Sequence, residues 1–348
     1  MDIGLRRLEC AENELSIHDT PSTYPRLCRL GDGSILAGFT SFEPDGQRVL
    51  TIKRSTDEAV TFEPHGEVTR SSGDCDNLFL LELPASTDSG PPTILAAFRN
   101  HDLGEDGAHT YFRITVCQST DGGQTWTFLS QAAEKPAPFG LWEPFLRMTD
   151  DEIHMYFSQE MDTDDQDTML VRSTDGGATW TATQRVTGEG EALRDGMVGV
   201  AAVKSCDAEL EGLVLVMETT RLGTFSIEAA LSFDNAETFG SRQPVYVPKE
   251  GRNAGAPQIT AFADGSVAVV FMTDEDDEDD PTWPSGANIK AIFGMLTADG
   301  SLSWSEPQVI GEKMSSWPGI MHMRDGSAMA VYESTSIIRG RMLSITSE

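Results

Sequence analysis

Two glutamates stand where paired-carboxylate chemistry would want them. Glu143 lies between Trp142 and Pro144, and Glu218 directly follows the apolar run of residues 213–217. Hydrolysis of a glycosidic bond needs one carboxylic acid to protonate the leaving oxygen and one carboxylate to attack carbon or to activate water. Each glutamate alone has a plain structural explanation: Glu218 as the ion-pair partner of Arg99 or Arg194, Glu143 as a solvated loop residue. Taken together, with aromatic neighbours, they read as a catalytic pair. Arg26, Asp76, Asn77, Arg99, His101, Trp142 and Trp317 supply the hydrogen-bonding groups and aromatic faces that a sugar pocket requires.

The elements that must position these residues are visible as repeats. Ser119-Thr-Asp-Gly-Gly-Gln-Thr-Trp126 recurs as Ser173-Thr-Asp-Gly-Gly-Ala-Thr-Trp180, with looser copies at 55–62, 232–239 and 297–304. Their aspartates are 54 to 65 residues apart, the length of a four-stranded unit. The motif resembles the Asp-box of sialidase-like β-propellers. Its chemistry is that of a hairpin turn: the carboxylate accepts turn N–H groups, glycine takes positive φ, and the aromatic residue packs between blades. Between the boxes run six apolar strand–turn–strand units, 25–40, 77–99, 143–158, 197–218, 257–272 and 318–333. Six inner hairpins, five of them followed by an Asp-box hairpin, predict an all-β chain: a sialidase-like six-bladed β-propeller with four antiparallel strands per blade. The final strand near Arg341 closes the ring with residues 3–10. No linker divides the chain, and residues 1–348 are expected to form one domain.

In such a blade the start of the first strand and the end of the second share a rim, while the Asp-Gly turns and Asp-boxes lie on the other. First-strand starts give Tyr24-Pro25-Arg26, Asp74 to Asn77, Trp142-Glu143-Pro144, Asn253 to Pro257 and Trp317-Pro318. Second-strand ends give Arg99 to Asp102, Glu160, Glu218, Asp274 and Glu333. Glu143 and Glu218, on adjacent blades, are expected to approach to the short separation of a retaining pair, about 5–5.5 Å.

Composition excludes other classes. Asp plus Glu number 56 against 25 Lys plus Arg, a formal charge of −31 in 348 residues, which repels nucleic acid and anionic membranes. No apolar run nears the roughly 18 residues of a membrane helix. Five dispersed cysteines, with no CxxC pair, exclude a dense disulfide framework and point away from zinc, leaving room for one bridge. No phosphate-binding glycine loop or dinucleotide fingerprint occurs, so no cofactor is expected. No metal is expected either. The acidic run 274–280 lacks the alternating ligands and turn glycine of a calcium loop and reads as a solvated, mobile loop beside Trp283.

A narrower resemblance rests on Gly140-Leu-Trp-Glu-Pro-Phe-Leu146, Tyr111-Phe-Arg-Ile-Thr-Val116, Ala97-Phe-Arg-Asn-His101 and Asn253-Ala-Gly-Ala-Pro-Gln258. These are similar to segments of the fungal exo-α-1,5-L-arabinanases of glycoside hydrolase family 93, over residues 20 to 345. The resemblance implies a six-bladed propeller, a retaining mechanism with two glutamates, and release of arabinobiose from linear arabinan. It carries the pair onto Glu143 and Glu218, with Glu143 favoured as nucleophile. A carbohydrate substrate and a monomeric protein are expected. Family members that degrade arabinan are secreted, whereas Met1 to Arg7 leads into no apolar segment, so a chain complete at Met1 stays in the cytoplasm.

Two alternatives remain open on the residues. An exo-α-sialidase would use Arg26, Arg252 and Arg339 on a substrate carboxylate and Tyr332 with Glu333 as nucleophile. A propeller that binds a glycan or a protein without turning it over would need no carboxylate pair.

Overall fold

The computed structural model describes residues 6–84, 92–205, 209–277 and 282–347. Among these every regular element is a β-strand, no helix is long and apolar enough to cross a membrane, and the strands form six antiparallel sheets. The fold is a six-bladed β-propeller with four strands per blade. The chain divides into two compact units of three blades each, Ile17–Ala192 and Leu193–Glu348 with Met1–Ser16.

In the first unit the blades span residues 22–71, 74–136 and 141–185. In the second they span 196–246, 254–311, and 315–347 with strand Arg6–Cys10. That N-terminal strand pairs Arg6 with Ser347 through Cys10 with Leu343, so it completes the last blade as its outermost strand. Residues 3–5 of the expected closing segment lie outside the described residues.

Burial explains why the inner hairpins read as unbroken apolar runs. The second strands, such as Ile35–Phe42 and Val267–Thr273, are buried on both faces, whereas Thr127–Pro136 at a blade's outer edge is mostly half-buried or exposed. The cores sit between blades. Leu36, Leu50 and Ile52 pack with Leu78, Leu80 and Phe98, and Val214, Val216 and Ile227 pack with Ile259, Val269 and Phe271.

The boxes are turns, as their chemistry implied. Asp121 accepts from Thr125 N at 2.9 Å and Thr125 Oγ1 at 2.6 Å, while Ser119 Oγ accepts from Gly123 N at 2.9 Å. Asp57, Asp175 and Asp234 repeat this clamp. Where the glycines are lost, Glu58-Ala59 and Asn235-Ala236 still adopt φ of 58° to 70°, so the carboxylate clamp holds the turn without them. Trp126 and Trp180 pack against the cores between blades. The copy at 297–304 differs from the expectation. Asp299 binds Thr297 and Ser301 rather than a residue four ahead, as Asp32, Asp264 and Asp325 bind the serine of their own Asp-Gly-Ser turns. Its sequence, Thr-Ala-Asp-Gly-Ser, specifies that tighter hairpin.

Candidate active site

One backbone device recurs in all six blades. The first strand carries an extra residue, so that three steps on it face two on the second strand: Thr23/Arg26, Asp76/Phe79, Trp142/Phe145, Gly196/Gly199, Gly255/Gln258 and Ser316/Gly319. The residue entering each bulge has positive φ although none is glycine: Tyr24, Asn77, Glu143, Met197, Ala256 and Trp317, between 46° and 57°. Four of the six precede proline. Such a conformation costs on the order of 1–3 kcal/mol per residue and persists where the surroundings enforce it. Opposite the bulges, Phe39, Phe98, Phe157, Met217, Phe271 and Tyr332 are all buried. Bulges re-aim side chains, and here they re-aim the first-strand residues of each unit. The candidate residues therefore belong to strands that run through the bulge, such as Leu141–Met148 and Glu211–Thr219.

In the unit Ile17–Ala192 these positions hold a charged network. Asp76 and Arg99 face each other across the hairpin and pair at 3.3 Å. Asp76 also accepts from Thr40 Oγ1 at 2.6 Å and Asn77 N at 2.7 Å. Asp74 gathers Arg48, Arg99 at 3.0 Å and His109 at 2.9 Å. Burial alone would raise its pKa, but Arg99, His109 and Arg48 together lower it. Burial likewise opposes the Arg99 charge, and Asp76, Asp74 and Glu143 outweigh it. The Arg99 guanidinium lies 5.2 Å above the Trp142 ring, and that of Arg26 lies 4.0 Å above Tyr24. Arg26 is buried, which lowers its pKa, while Tyr24, Glu143 and Asp76 act to keep its charge. The Glu143 carboxylate is thus within electrostatic reach of Arg26, Arg99 and Tyr24.

His101 is placed differently from a sugar ligand. It is 2% exposed and packs edge-on against Phe112 and Trp142. Its Nδ1 accepts from Arg113 N at 3.2 Å, which leaves the ring proton on Nε2. Burial, then Arg99, lowers its pKa to about 4. It is a neutral support for Trp142.

In the unit Leu193–Glu348 with Met1–Ser16, Glu218 stands opposite Gly196 at the end of its hairpin and is 8% exposed. Oε2 accepts from Ala256 N at 2.8 Å. Burial raises its pKa to about 7 against the lowering by that N–H and by Arg194. Gly255 makes the fit: a methyl there would stand 2.6 Å from Glu218 Oε2 and 3.0 Å from the Trp283 ring. Behind the strand, Arg242 bridges Asp195 at 2.7 Å, Glu228 at 2.7 Å and Thr219 Oγ1 at 3.2 Å. Trp317 occupies the bulge of the last blade, partly exposed.

The residues a sialidase would need are engaged elsewhere. Tyr332 is buried, its hydroxyl 2.7 Å from Glu14 Oε1 and 2.9 Å from the Ile310 carbonyl, and burial followed by Glu14 raises its pKa. Arg339 lies 3.8 Å from Glu14, and Arg252 donates to the Asp274 carbonyl. The acidic run is not a bare solvated loop over its described part. Asp274 accepts from Asn253 N, Asp276 pairs with Lys290 at 2.9 Å and Asp277 with Lys313 at 2.7 Å. Residues 278–280 of the run lie outside the described residues. Among the described residues no three His, Cys, Asp or Glu side chains gather to hold a metal, and Cys10, Cys28, Cys75 and Cys117 are free thiols. Cys206 lies outside the described residues.

Tyr24, Arg48, Asp74, His109, Ala256 and Trp283 complete these surroundings without having been singled out from sequence as site residues. Tyr24, Asp74 and Ala256 do fall among the first-strand starts read from the repeats and Trp283 beside the acidic run, whereas Arg48 and His109 carried no such signal.

The sequence matches the family model described as BNR repeat-like domain over residues 24–333. A search of the curated proteins found no match. Among solved structures, a family 93 α-L-arabinofuranosidase of Fusarium graminearum, in complex with arabinobiose, is 19% identical with a TM-score of 0.71, over 94% of this chain and 96% of its own. An α-L-arabinanase of Penicillium chrysogenum, also with arabinobiose, is 20% identical with a TM-score of 0.68, over 97% and 98%. The NanB sialidase of Streptococcus pneumoniae is 11% identical with a TM-score of 0.60, over 96% of this chain and 70% of its own.

Proposed function

Because this chain belongs to the family of BNR repeat-like domains, whose propeller fold hosts glycosidases among its structural neighbours, we propose that it is a retaining glycoside hydrolase. Its substrate is α-1,5-linked L-arabinan or its oligosaccharides, from which it releases arabinobiose. The observation that carries this reading is the contrast between two rim glutamates: Glu143 among guanidinium groups, Glu218 in a buried cradle with its pKa pushed up to about 7. Unlike environments of this kind divide two carboxyl groups into nucleophile and acid.

Glu143 acts as nucleophile. Arg26 and Arg99 favour a carboxylate there over a carboxylic acid, and its attack on the anomeric carbon forms a glycosyl ester. Glu218 enters protonated and gives its proton to the departing glycosidic oxygen. The resulting carboxylate then takes a proton from the water that cleaves the ester, which restores both groups. Asp76, Asn77, Arg99 and Trp142 hold the sugar in the first unit, with Arg26 and His101 supporting them. Trp317 offers its face to a sugar's C–H side.

The test is the product set from linear arabinan, with sialyl-lactose assayed in parallel and the anomeric configuration followed by NMR. Arabinobiose of retained configuration supports the proposal. Release of sialic acid, inversion at the anomeric carbon, or no hydrolysis of either substrate rejects it.

A further inference from the structure

The segment around Trp283 has a role that neither the repeats nor the rim positions account for. Glu218 and Trp283 both close on the space that a Cβ of Gly255 would fill, 2.6 Å and 3.0 Å from it. On its other side the indole packs near Phe225, with ring centroids 6.3 Å apart. The turn that carries it is tied by Gly286 N to the Thr282 carbonyl at 2.7 Å and by Ala287 N to the Pro284 carbonyl at 3.2 Å. Gly286 is itself packed against Asp277, since a methyl at that glycine would meet Asp277 Oδ2 at 2.7 Å. Asp277 in turn is ion-paired to Lys313 at 2.7 Å. The start of the acidic run is thus braced by lysine near the turn of Trp283, whose indole shares the space over Gly255 with the buried Glu218 carboxyl.

We propose that Trp283 is a positioning residue for Glu218: its indole, seated over Gly255 and braced by the Asp277–Lys313 pair, closes the carboxyl off from water. The inference rests on the reading of Glu218 as the general acid. Removing the indole admits water to a carboxyl that otherwise has one N–H partner from Ala256 and the charge of Arg194 nearby. Both of those already favour the ionised form, so exposure leaves nothing to hold the proton. Of the other charges on the neighbouring elements, Arg221 lies 3.5 Å from Glu228 and Arg252 donates to the Asp274 carbonyl. Asp195 and Glu228 share Arg242, and Asp274 accepts from Asn253 N.

The test is a ¹³C-carboxyl NMR titration of glutamate-labelled full-length protein, with the Glu218 resonance assigned by its loss in Glu218→Gln. Wild type should titrate near pH 7. Trp283→Ala should titrate lower by about one pH unit or more, and Trp283→Phe, which keeps an apolar cover, should stay near wild type. Lys313→Met should fall between them. Trp283→Phe also keeps the test informative if the alanine variant melts early. Alongside, the alkaline limb of kcat/KM on arabinan should move with the titration. A Glu218 titration unmoved in Trp283→Ala, or moved equally in Trp283→Phe, overturns the inference. The titration needs no substrate, so a protein inactive on arabinan whose Glu218 still responds to Trp283 overturns the proposed activity and leaves this inference standing.

Discussion

The two three-blade units use one backbone device for opposite electrostatic ends. In Ile17–Ala192 the bulge residues are Tyr24, Asn77 and Glu143, and on the neighbouring strand positions Asp74 and Asp76 pair with Arg48 and Arg99. In Leu193–Glu348 with Met1–Ser16 the equivalent positions are Met197, Ala256 and Trp317, and Glu218 meets a cradle of small and apolar groups. A bulge fixes where a side chain points and leaves its protonation to the neighbours. Identical scaffolding thus yields a rim segment rich in fixed charge and another that suppresses charge. The difference lies in which side chains stand beside each glutamate, not in the fold.

The largest expected effects come from removing the carboxyl groups this contrast separates. Glu143→Gln and Glu218→Gln should each lower kcat by on the order of 10³-fold or more, with melting temperatures that show an intact fold. If either variant keeps near-wild-type turnover of arabinan, its glutamate is structural.

Next in size is stability, where the two units should respond in opposite directions. Asp74→Asn takes the shared charge from Arg48, Arg99 and His109 and should cost about 3 kcal/mol in urea unfolding. Glu218→Gln should do the reverse at neutral pH. The folded state holds the Glu218 proton more tightly than the unfolded chain does. Its contribution is therefore fully present below pH 4.5 and is lost as pH rises through about 7. Above that pH the wild type bears a penalty of about 3 kcal/mol that the glutamine variant lacks. The melting-temperature difference between variant and wild type should grow from pH 4.5 to 7 and then level off. A flat difference across this range would place Glu218 in contact with water.

The smallest effect belongs to the rim of turns. Asp121→Asn weakens the clamp on Thr125 and should lower the melting temperature by a few degrees with kcat unchanged. Burial contributes little there. The Thr125 hydroxyl and N–H hold the Asp121 pKa at about 2, so the clamp is lost only as pH falls from 3.8 toward that value.

Much of the fold was legible because its signals are local. A Ser-x-Asp-x-Gly-x-Thr-Trp turn needs only its own eight residues to close, and an inner hairpin buried on both faces writes an unbroken apolar run. That Glu143 opens a first strand and Glu218 ends a second was legible because such positions follow from the repeats. The failures came where partners are distant in sequence. Nothing near Asp74 announces Arg48 or His109, and nothing in an acidic run announces the lysines at 290 and 313 that neutralise it. The burial of His101 against Phe112 and Trp142 is likewise not written in its own segment. Asp299 was read as a box because the Trp after it matched, although Asp-Gly-Ser beside it already specified the tighter turn.

The central claim, that Glu143 and Glu218 divide nucleophile and acid/base between them, is tested most directly by azide rescue of the two alanine variants on an activated arabinoside. Glu143→Ala should yield a glycosyl azide of inverted anomeric configuration, and Glu218→Ala one of retained configuration. The opposite pattern would exchange the roles, and the absence of any glycosyl azide from both variants would contradict the assignment of this pair.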